Sequence, residues 1–157
     1  MLNSEEQLIE KFYIAFANKD ASTMASCYAD DIEFEDPAFG KLKGNEAVAM
    51  WTMLVSRSKD LHITFSDISA NSGKGHAMWI ATYTFTKTGR KVINQIHASF
   101  EFANGKIIKH KDSFDLNAWL KMAFGWKGFL FVNIPILKSK FKQQAKKTLI
   151  DYMARHQ

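Results

Sequence analysis

In the segment Ile32-Glu33-Phe34-Glu35-Asp36-Pro37-Ala38-Phe39-Gly40, apolar and acidic residues alternate until a proline and a glycine end the pattern. Strict alternation is typical of a strand with one buried face, so Ile32, Phe34 and Asp36 are expected to share that face. A carboxylate on a buried face is costly unless a partner satisfies it or a reaction uses it. Asp36 is therefore a candidate catalytic residue, with capping of the turn at Pro37 as the structural alternative.

Composition and charge limit the class of protein. The chain has 157 residues, 46% hydrophobic and 24% charged, as expected for a soluble globular protein with one core. The net charge of +5 is unevenly distributed, because residues 116–157 carry seven Lys and one Arg against one Asp, or +7, which leaves −2 for residues 1–115. A mildly acidic body argues against a nucleic-acid partner.

The single cysteine and the lack of known binding motifs exclude further classes of protein. Cys27 is the single cysteine, so no internal disulfide can form and a cytoplasmic setting is expected. We expect no signal peptide and no spanning helix, since the chain has neither a basic-apolar leader nor a run of 18 apolar residues. No metal-ligand spacing or glycine-rich nucleotide loop occurs, so neither a metal nor a cofactor is predicted.

Hydrophobic periodicity predicts an α+β domain. Apolar residues at helical spacing predict three helices, beginning near Ser4, Asp20 and Asn45, the first with a Ser-x-x-Gln capping box. Period-two alternation then predicts a meander of strands over residues 61–66, 77–85, 92–102 and 106–115. Helices grouped before a run of antiparallel strands indicate α+β, and long strands are expected to curl and leave a concave side for the helices to cover.

Few polar residues fall on the predicted buried faces. Besides Asp36 they are Asn94, His110 and Asp112. His110 and Asp112 are two residues apart on one strand, so their side chains lie side by side. A carboxylate can orient a neighbouring imidazole, and an aromatic environment raises the pKa of a carboxyl group toward the range of a general base.

These observations give a candidate site and an alternative. Asp36, His110 and Asp112 are the predicted catalytic residues, whereas a satisfied hydrogen-bond pair in a pocket wall is the structural alternative for His110 and Asp112. The predicted pocket is apolar and is lined by Phe12, Phe16, Trp51, Trp79, Tyr83, Asn94 and Ala98.

The order of elements resembles that of a known superfamily. A helix, a short helix, a Phe-x-Asp-Pro-x-x-Gly strand, a helix and a meander ending in Gly-Lys-Ile-Ile-Lys-His-Lys-Asp are similar to the NTF2-like superfamily. Within it, the chain most resembles the SnoaL-like polyketide cyclase and ketosteroid isomerase-like branch, over roughly residues 5–118. The resemblance implies a cone-shaped NTF2-like (cystatin-like) fold, with three N-terminal helices on a curved, mostly antiparallel sheet and a C-terminal helical extension.

The resemblance also implies roles for the candidate residues. Asp36 matches the general base of ketosteroid isomerases, whose oxyanion hole needs a Tyr and a protonated Asp. Those two donors fall on Phe12 and near Ala98 here, so steroid isomerisation by that mechanism is not expected. His110 and Asp112 match the His-x-Asp context of the acid/base Asp in SnoaL-like cyclases.

Two functions follow as expectations. The first is cofactor-independent acid/base chemistry of the isomerase, cyclase or hydrolase type on a small hydrophobic molecule. The second is a non-catalytic ligand-binding or dimerisation module. The resemblance further implies a homodimer formed through the exposed face of the sheet.

The C-terminal part differs in composition from the predicted domain of residues 1–118. Residues 119–137 are crowded with large apolar side chains, and a basic helix follows from Lys138 to Lys147. This extension, residues 119–157, is predicted to pack on the same domain, where it closes the mouth of the cone or builds a dimer interface. Contact with a partner or a membrane surface is the alternative, because apolar side chains and lysines occur together.

Overall fold

The computed structural model describes residues 1–157 and combines six helices with one six-stranded sheet. The helices are α1 (Ser4–Ala17), α2 (Ala21–Ser26), α3 (Asn45–Arg57), α4 (Leu116–Phe124), α5 (Trp126–Asn133) and α6 (Pro135–Arg155). The strands are β1 (Tyr28–Asp36), β2 (Gly40–Lys43), β3 (His62–Asn71), β4 (Lys74–Phe85), β5 (Arg90–Ala103) and β6 (Lys106–Ser113). The α+β class predicted from the sequence is confirmed.

The sheet has the order β2-β1-β6-β5-β4-β3, and every neighbouring pair is antiparallel except β1 and β6. This parallel pair is possible because α3 and the meander separate the two strands in the chain, which allows β6 to return beside β1. The mostly antiparallel sheet inferred from the resemblance is therefore confirmed, with the one parallel pair at the position where the candidate residues meet.

The core lies between the helices and one face of the sheet. Helix α1 packs against β3 and β4, α3 packs against β1 and β2, and α6 packs against α3. Phe12 and Phe16 of α1 are buried in this core together with Leu149 and Tyr152 of α6. The extension therefore contributes side chains to the main core, and the boundary predicted between residues 118 and 119 falls inside α4.

Helices α1 and α3 begin at Ser4 and Asn45, as predicted, but their N-cap residues are Asn3 and Gly44. Asn3 caps α1, because its Oδ1 accepts the N–H of Glu6 at 2.9 Å while the Glu6 carboxylate accepts the N–H of Asn3 at 2.9 Å. The capping box is thus Asn-x-x-Glu and does not use Ser4. Gly44 precedes α3 with a φ of 57°, a conformation that glycine adopts without strain.

The opening strand is longer than predicted and belongs to a hairpin. β1 begins at Tyr28, and residues 40–43, for which no strand was predicted, form β2 beside it with Asp36 opposite Gly40. The sequence did not indicate β2 because four residues are too few to establish a period of two.

Helix α4 covers the end of the sheet where β4 meets β5. Trp119 donates its indole N–H to the Tyr83 hydroxyl at 2.7 Å, and the side chain of Arg90 donates to the carbonyl of Met122 at 2.8 Å. The aromatic rings of Phe85 and Trp119 meet edge to face at 5.3 Å. None of the six helices has both the length and the apolar character needed to cross a bilayer.

Candidate functional site

Two carboxylates occupy neighbouring positions on the parallel strands. The register pairs Phe34 with His110 and Glu35 with Lys111, and its extension by one residue brings Asp36 next to Asp112, whose charge acts on the Asp36 carboxyl group. Alternation places both aspartates on the inner face, as Phe34 and His110 are there and are buried. The sequence predicted this face for each residue separately, and the parallel pairing brings the residues together.

Asp36 has the most perturbed carboxyl group in this region. Burial raises its pKa from 3.8 to about 7; hydrogen bonds from the backbone of the turn oppose that shift, and the negative charge of Asp112 adds to it. Oδ1 of Asp36 accepts the N–H groups of Ala38 at 2.9 Å and Phe39 at 2.6 Å. The residue therefore caps the turn with one oxygen, as the structural alternative predicted, and Oδ2 takes part in neither bond.

His110 and Asp112 form the centre of a buried hydrogen-bond chain. Nε2 of His110 lies 2.9 Å from Oδ1 of Asp112, which also accepts the indole N–H of Trp79 at 3.2 Å. On the other side of the ring, Nδ1 of His110 lies 2.7 Å from the hydroxyl of Tyr28, which accepts the indole N–H of Trp51 at 2.8 Å. The chain joins α3, β1, β6 and β4.

The hydrogen-bond partners assign the tautomer of His110. The hydroxyl proton of Tyr28 has no acceptor other than Nδ1, so Nδ1 carries no proton. Nε2–H then donates to the carboxylate of Asp112. In this arrangement each N–H and O–H group of the chain has an acceptor, which is the condition for a stable buried polar network.

Aromatic rings enclose the His110 imidazole. The side chain of His110 is 0% exposed and that of Asp112 is 3% exposed. The nearest ring centroids lie 4.5 to 6.0 Å from the imidazole, and they belong to Phe12, Tyr28, Phe34, Trp51 and Phe100. This enclosure separates the predicted catalytic pair from solvent, whereas Asp36 is only partly buried.

Two tyrosines that are not among the predicted site residues join this cluster. Tyr28 lies at the start of β1 and bonds to His110. Tyr13 lies on α1, and its hydroxyl is buried without a hydrogen-bond partner. Burial, followed by the charge of Asp112, raises the pKa of both hydroxyls well above the usual value. No sequence period distinguishes such tyrosines from other core aromatics.

A surface depression of about 380 Å³ opens beside Asp36. Its two sides come from the β1–β2 turn and from α6, and the lining residues are Glu35, Asp36, Pro37, Ala38, Phe39, Gly40, Lys142, Gln143 and Lys146. Of the three predicted catalytic residues, Asp36 alone reaches this depression. The depression therefore has Lys142 and Lys146 of α6 in its lining together with Asp36.

The predicted pocket-lining residues lie elsewhere. Five of them are packed in the main core, namely Phe12, Phe16, Trp51, Trp79 and Ala98. Tyr83 is hydrogen-bonded to Trp119, and Asn94 is buried on β5 opposite Ala81. None of the seven lines the depression at Asp36, so an apolar pocket around them stays a prediction.

No group of three or more His, Cys, Asp or Glu side chains lies close enough together to hold a metal ion. Cys27 is buried, and burial raises the pKa of its thiol. A raised thiol pKa disfavours the reactive thiolate, so Cys27 is a core residue and not a nucleophile.

Comparison with known proteins gives the family and the fold. Residues 9–110 match the family model described as a SnoaL-like domain. No curated protein matches the chain. An NTF2-like protein of unknown function from Burkholderia pseudomallei superposes with a TM-score of 0.68 at 14% identity, covering 79% of this chain and 100% of that protein.

Two further solved structures share the architecture. An LEH-like epoxide hydrolase from M. tuberculosis has a TM-score of 0.65 at 18% identity, covering 84% of this chain and 96% of its own. A protein with a ketosteroid isomerase-like fold from Catenulispora acidiphila has a TM-score of 0.64 at 13% identity, and the match covers 74% of this chain and 91% of that protein. At these identities the likeness establishes the cone-shaped NTF2-like fold and leaves the reaction to be argued from the site.

Proposed function

The chain belongs to the SnoaL-like family, and from that premise we propose that it is a cofactor-independent acid/base enzyme of the isomerase, cyclase or hydrolase type. Its substrate is a small hydrophobic molecule, and Asp36 exchanges the proton with it. The observation that carries the proposal is the position of Asp36, beside Asp112 on the inner face and open to the surface depression on the other side. Proton transfer requires such access.

The ionisation of Asp36 suits both directions of proton transfer. A group with a pKa of about 7 is present in both the acid and the base form at neutral pH. Oδ1 stays bonded to the turn, so Oδ2 is the oxygen that carries the proton. Asp112 is held by His110 and Trp79, and its fixed charge favours protonated Asp36. Asp112 and His110 are therefore positioning residues in this proposal.

With a carbonyl substrate, the proposed reaction passes through an enolate. Oδ2 of Asp36 removes a proton from the carbon next to the carbonyl, and the electron pair of that C–H bond moves to the carbonyl oxygen as an enolate. The ammonium groups of Lys142 and Lys146, on the opposite side of the depression, stabilise this developing charge. Return of the proton from Asp36 to another atom completes an isomerisation. Pro37, Ala38 and Phe39 offer the apolar contacts for the rest of the molecule.

Deuterium exchange into enolisable ketones tests the proposal without a known substrate. A panel of small apolar ketones is incubated with the protein in D₂O and followed by NMR, using wild type, Asp36→Asn and the control Glu33→Gln. The amide introduced by Asp36→Asn keeps an oxygen for the turn but cannot take a proton, so the exchange rate should fall by about 10²-fold or more. Glu33 lies on the exposed side of β1, and its replacement should leave the rate unchanged. Equal rates for all three proteins would contradict the role of Asp36.

The enclosure of His110 and Asp112 favours a second candidate, a non-catalytic ligand-binding module. A sealed and fully bonded network fits a structural role, and Oδ1 of Asp36 already serves the turn. In that case apolar ligands bind without any exchange, and Asp36→Asn leaves their affinity unchanged. Isothermal titration with the same ketones separates the two candidates.

A homodimer through the outer face of the sheet is a further proposal. Ile80 and Ile93 are exposed on neighbouring strands of that face, where a second copy could cover them. Sedimentation velocity at micromolar concentration should give the mass of a dimer, and Ile93→Lys should shift the protein to a monomer. A monomeric wild type would refute this assembly.

A further inference from the structure

Helix α5 presents its apolar stripe to solvent. Trp126, Phe129 and Leu130 are spaced i, i+3 and i+4, the pattern that normally faces a core. Here Trp126 is 71% exposed and Phe129 is 54% exposed, and Ile136 at the start of α6 is 65% exposed. Leu130 and Ile134 are exposed beside them. We call these five side chains, Trp126, Phe129, Leu130, Ile134 and Ile136, the α5 patch.

The opposite side of α5 is fixed to the protein. Gly128 lies against the backbone of Leu120 and Lys121, and the ring of Phe131 lies 4.8 Å from that of Phe124 and 6.3 Å from that of Phe141. Rotation of α5 to bury the patch would break these contacts. The patch is therefore held outward by the packing of the extension.

The chain segment that carries the α5 patch is basic. Residues 116–150 contain seven Lys and no Asp or Glu. Two of these lysines border the patch directly, since Nζ of Lys121 lies 5.0 Å from the ring centroid of Phe129 and Nζ of Lys127 lies 5.7 Å from that of Trp126. Any surface that covers the patch must therefore tolerate or neutralise several positive charges.

The positive charge favours an anionic lipid surface over a second copy of the chain as the surface that covers the α5 patch. In a symmetric dimer the patch would meet its own copy, which would bring Lys121 and Lys127 of both copies together without an acidic partner. An anionic lipid surface fits both the apolar side chains and the lysines of this region, because its acyl chains take up apolar groups and its headgroups attract positive charge. Trp126 beside Lys127 also matches the aromatic and basic residues that settle at the level of lipid headgroups.

We infer that the α5 patch and its bordering lysines form a docking site for anionic membrane surfaces. Trp126, Phe129 and Ile136 enter the boundary between headgroups and acyl chains, while Lys121 and Lys127 contact the headgroup anions. This contact does not depend on proton transfer by Asp36, which involves other residues.

Vesicle co-sedimentation of the full chain tests the inference. Vesicles of phosphatidylcholine with about 30% phosphatidylserine are compared with pure phosphatidylcholine. The proteins are wild type, a patch variant (Trp126→Ser, Phe129→Ser and Ile136→Ser), a charge variant (Lys121→Gln and Lys127→Gln) and the control Ile14→Ser. Ile14 is also exposed but lies on α1, outside the α5 patch and outside the proposed dimer face. Near-UV circular dichroism checks that each variant is folded.

We expect wild type and Ile14→Ser to bind the anionic vesicles at least about tenfold more strongly than neutral ones, with binding weakened by salt. The patch and charge variants should each lose about tenfold in partition coefficient. Indole fluorescence should shift to the blue on binding, and Trp126→Phe should bind but lose that shift, since Trp126 is the most exposed of the four tryptophans.

Three outcomes of the vesicle experiment would overturn the inference. They are the absence of wild-type binding to anionic vesicles, equal binding of wild type and patch variant, and equal binding to anionic and neutral vesicles. Sedimentation velocity provides a separate check. A dimer that the patch variant abolishes would show that a second copy covers the α5 patch, and this result would also refute the membrane site.

Discussion

The hydroxyl of Tyr28 lies 2.7 Å from Nδ1 of His110, and the same oxygen accepts the indole N–H of Trp51 at 2.8 Å. One hydroxyl group at the start of β1 thereby links α3 to β6. Its loss would leave two buried polar atoms without partners, which costs more than the loss of an exposed hydrogen bond. By contrast, the hydroxyl of Tyr13 is buried nearby with no partner.

The two tyrosines therefore predict opposite effects of the same substitution. Tyr28→Phe should lower the free energy of unfolding by about 2–3 kcal/mol, because Trp51 and His110 lose their shared partner. Tyr13→Phe should be neutral or raise it by about 1 kcal/mol, because it removes an unsatisfied hydroxyl. Urea denaturation of both variants measures the difference. A loss of stability in Tyr13→Phe as large as that in Tyr28→Phe would show that the Tyr13 hydroxyl has a partner, such as a bound water.

The charge of Asp112 predicts a shift in the titration of Asp36. Burial is the largest cause of the raised pKa, and Asp112 adds to it. Asp112→Asn should therefore lower the pKa of Asp36 from about 7 but leave it above 3.8, since burial is retained. Carboxyl ¹³C NMR across a pH series reports this value, with Glu33→Gln as the matched control. If the pKa of Asp36 is unchanged in Asp112→Asn, the two carboxyl groups do not interact electrostatically.

The same pKa predicts how stability depends on pH. Asp36 holds its proton up to about pH 7 in the folded state but releases it near 3.8 when unfolded, so stability falls as pH rises between these values. The Asp36→Asn variant has no proton to lose at this position. Its stability relative to wild type should thus rise by about 1–2 kcal/mol between pH 4 and pH 8, less than the full shift because the side chain is partly exposed. Denaturation midpoints at both pH values, with Glu33→Gln alongside, measure this change, and a pH-independent difference would contradict it.

Gly128 predicts an exception to helix propensity. Alanine normally stabilises a helix relative to glycine by about 0.5–1 kcal/mol. A Cβ at position 128 would overlap the carbonyl oxygen of Leu120 and come within 2.7 Å of Cα of Lys121, which are backbone atoms of α4. Gly128→Ala should therefore weaken the packing of α5 by about 1–3 kcal/mol.

Hydrogen exchange of the α4 and α5 amides, together with thermal unfolding, measures this loss. Lys127→Ala is the matched control, since Lys127 is exposed on the same helix. Slower exchange in Gly128→Ala than in wild type would show that propensity outweighs the contact. If the variant loosens α5, it should also weaken vesicle binding, because the α5 patch would no longer be held outward.

Much of the fold could be predicted from local patterns. Alternation at Ile32, Phe34 and Asp36 identified the inner face of β1, and that at His110 and Asp112 identified the inner face of β6. Such periods arise because each strand buries one face, and they need no knowledge of the partner strand. The four-residue β2 and the cap at Asn3 were missed, because short elements and helix ends carry too few residues to fix a period or a boundary.

The site could be predicted only in part, because local periods show which face of a strand is buried but not which strand lies beside it. Local alternation was enough to place Asp36, His110 and Asp112 on buried faces among aromatic side chains. The three-dimensional arrangement was needed to show that β1 runs parallel to β6, which brings Asp36 next to Asp112, and that Tyr28 completes the hydrogen-bond chain of His110. It likewise decided that aromatic rings enclose His110 while Asp36 reaches the surface. Pairing, access and pKa depend on residues distant in the chain, and no local period encodes them.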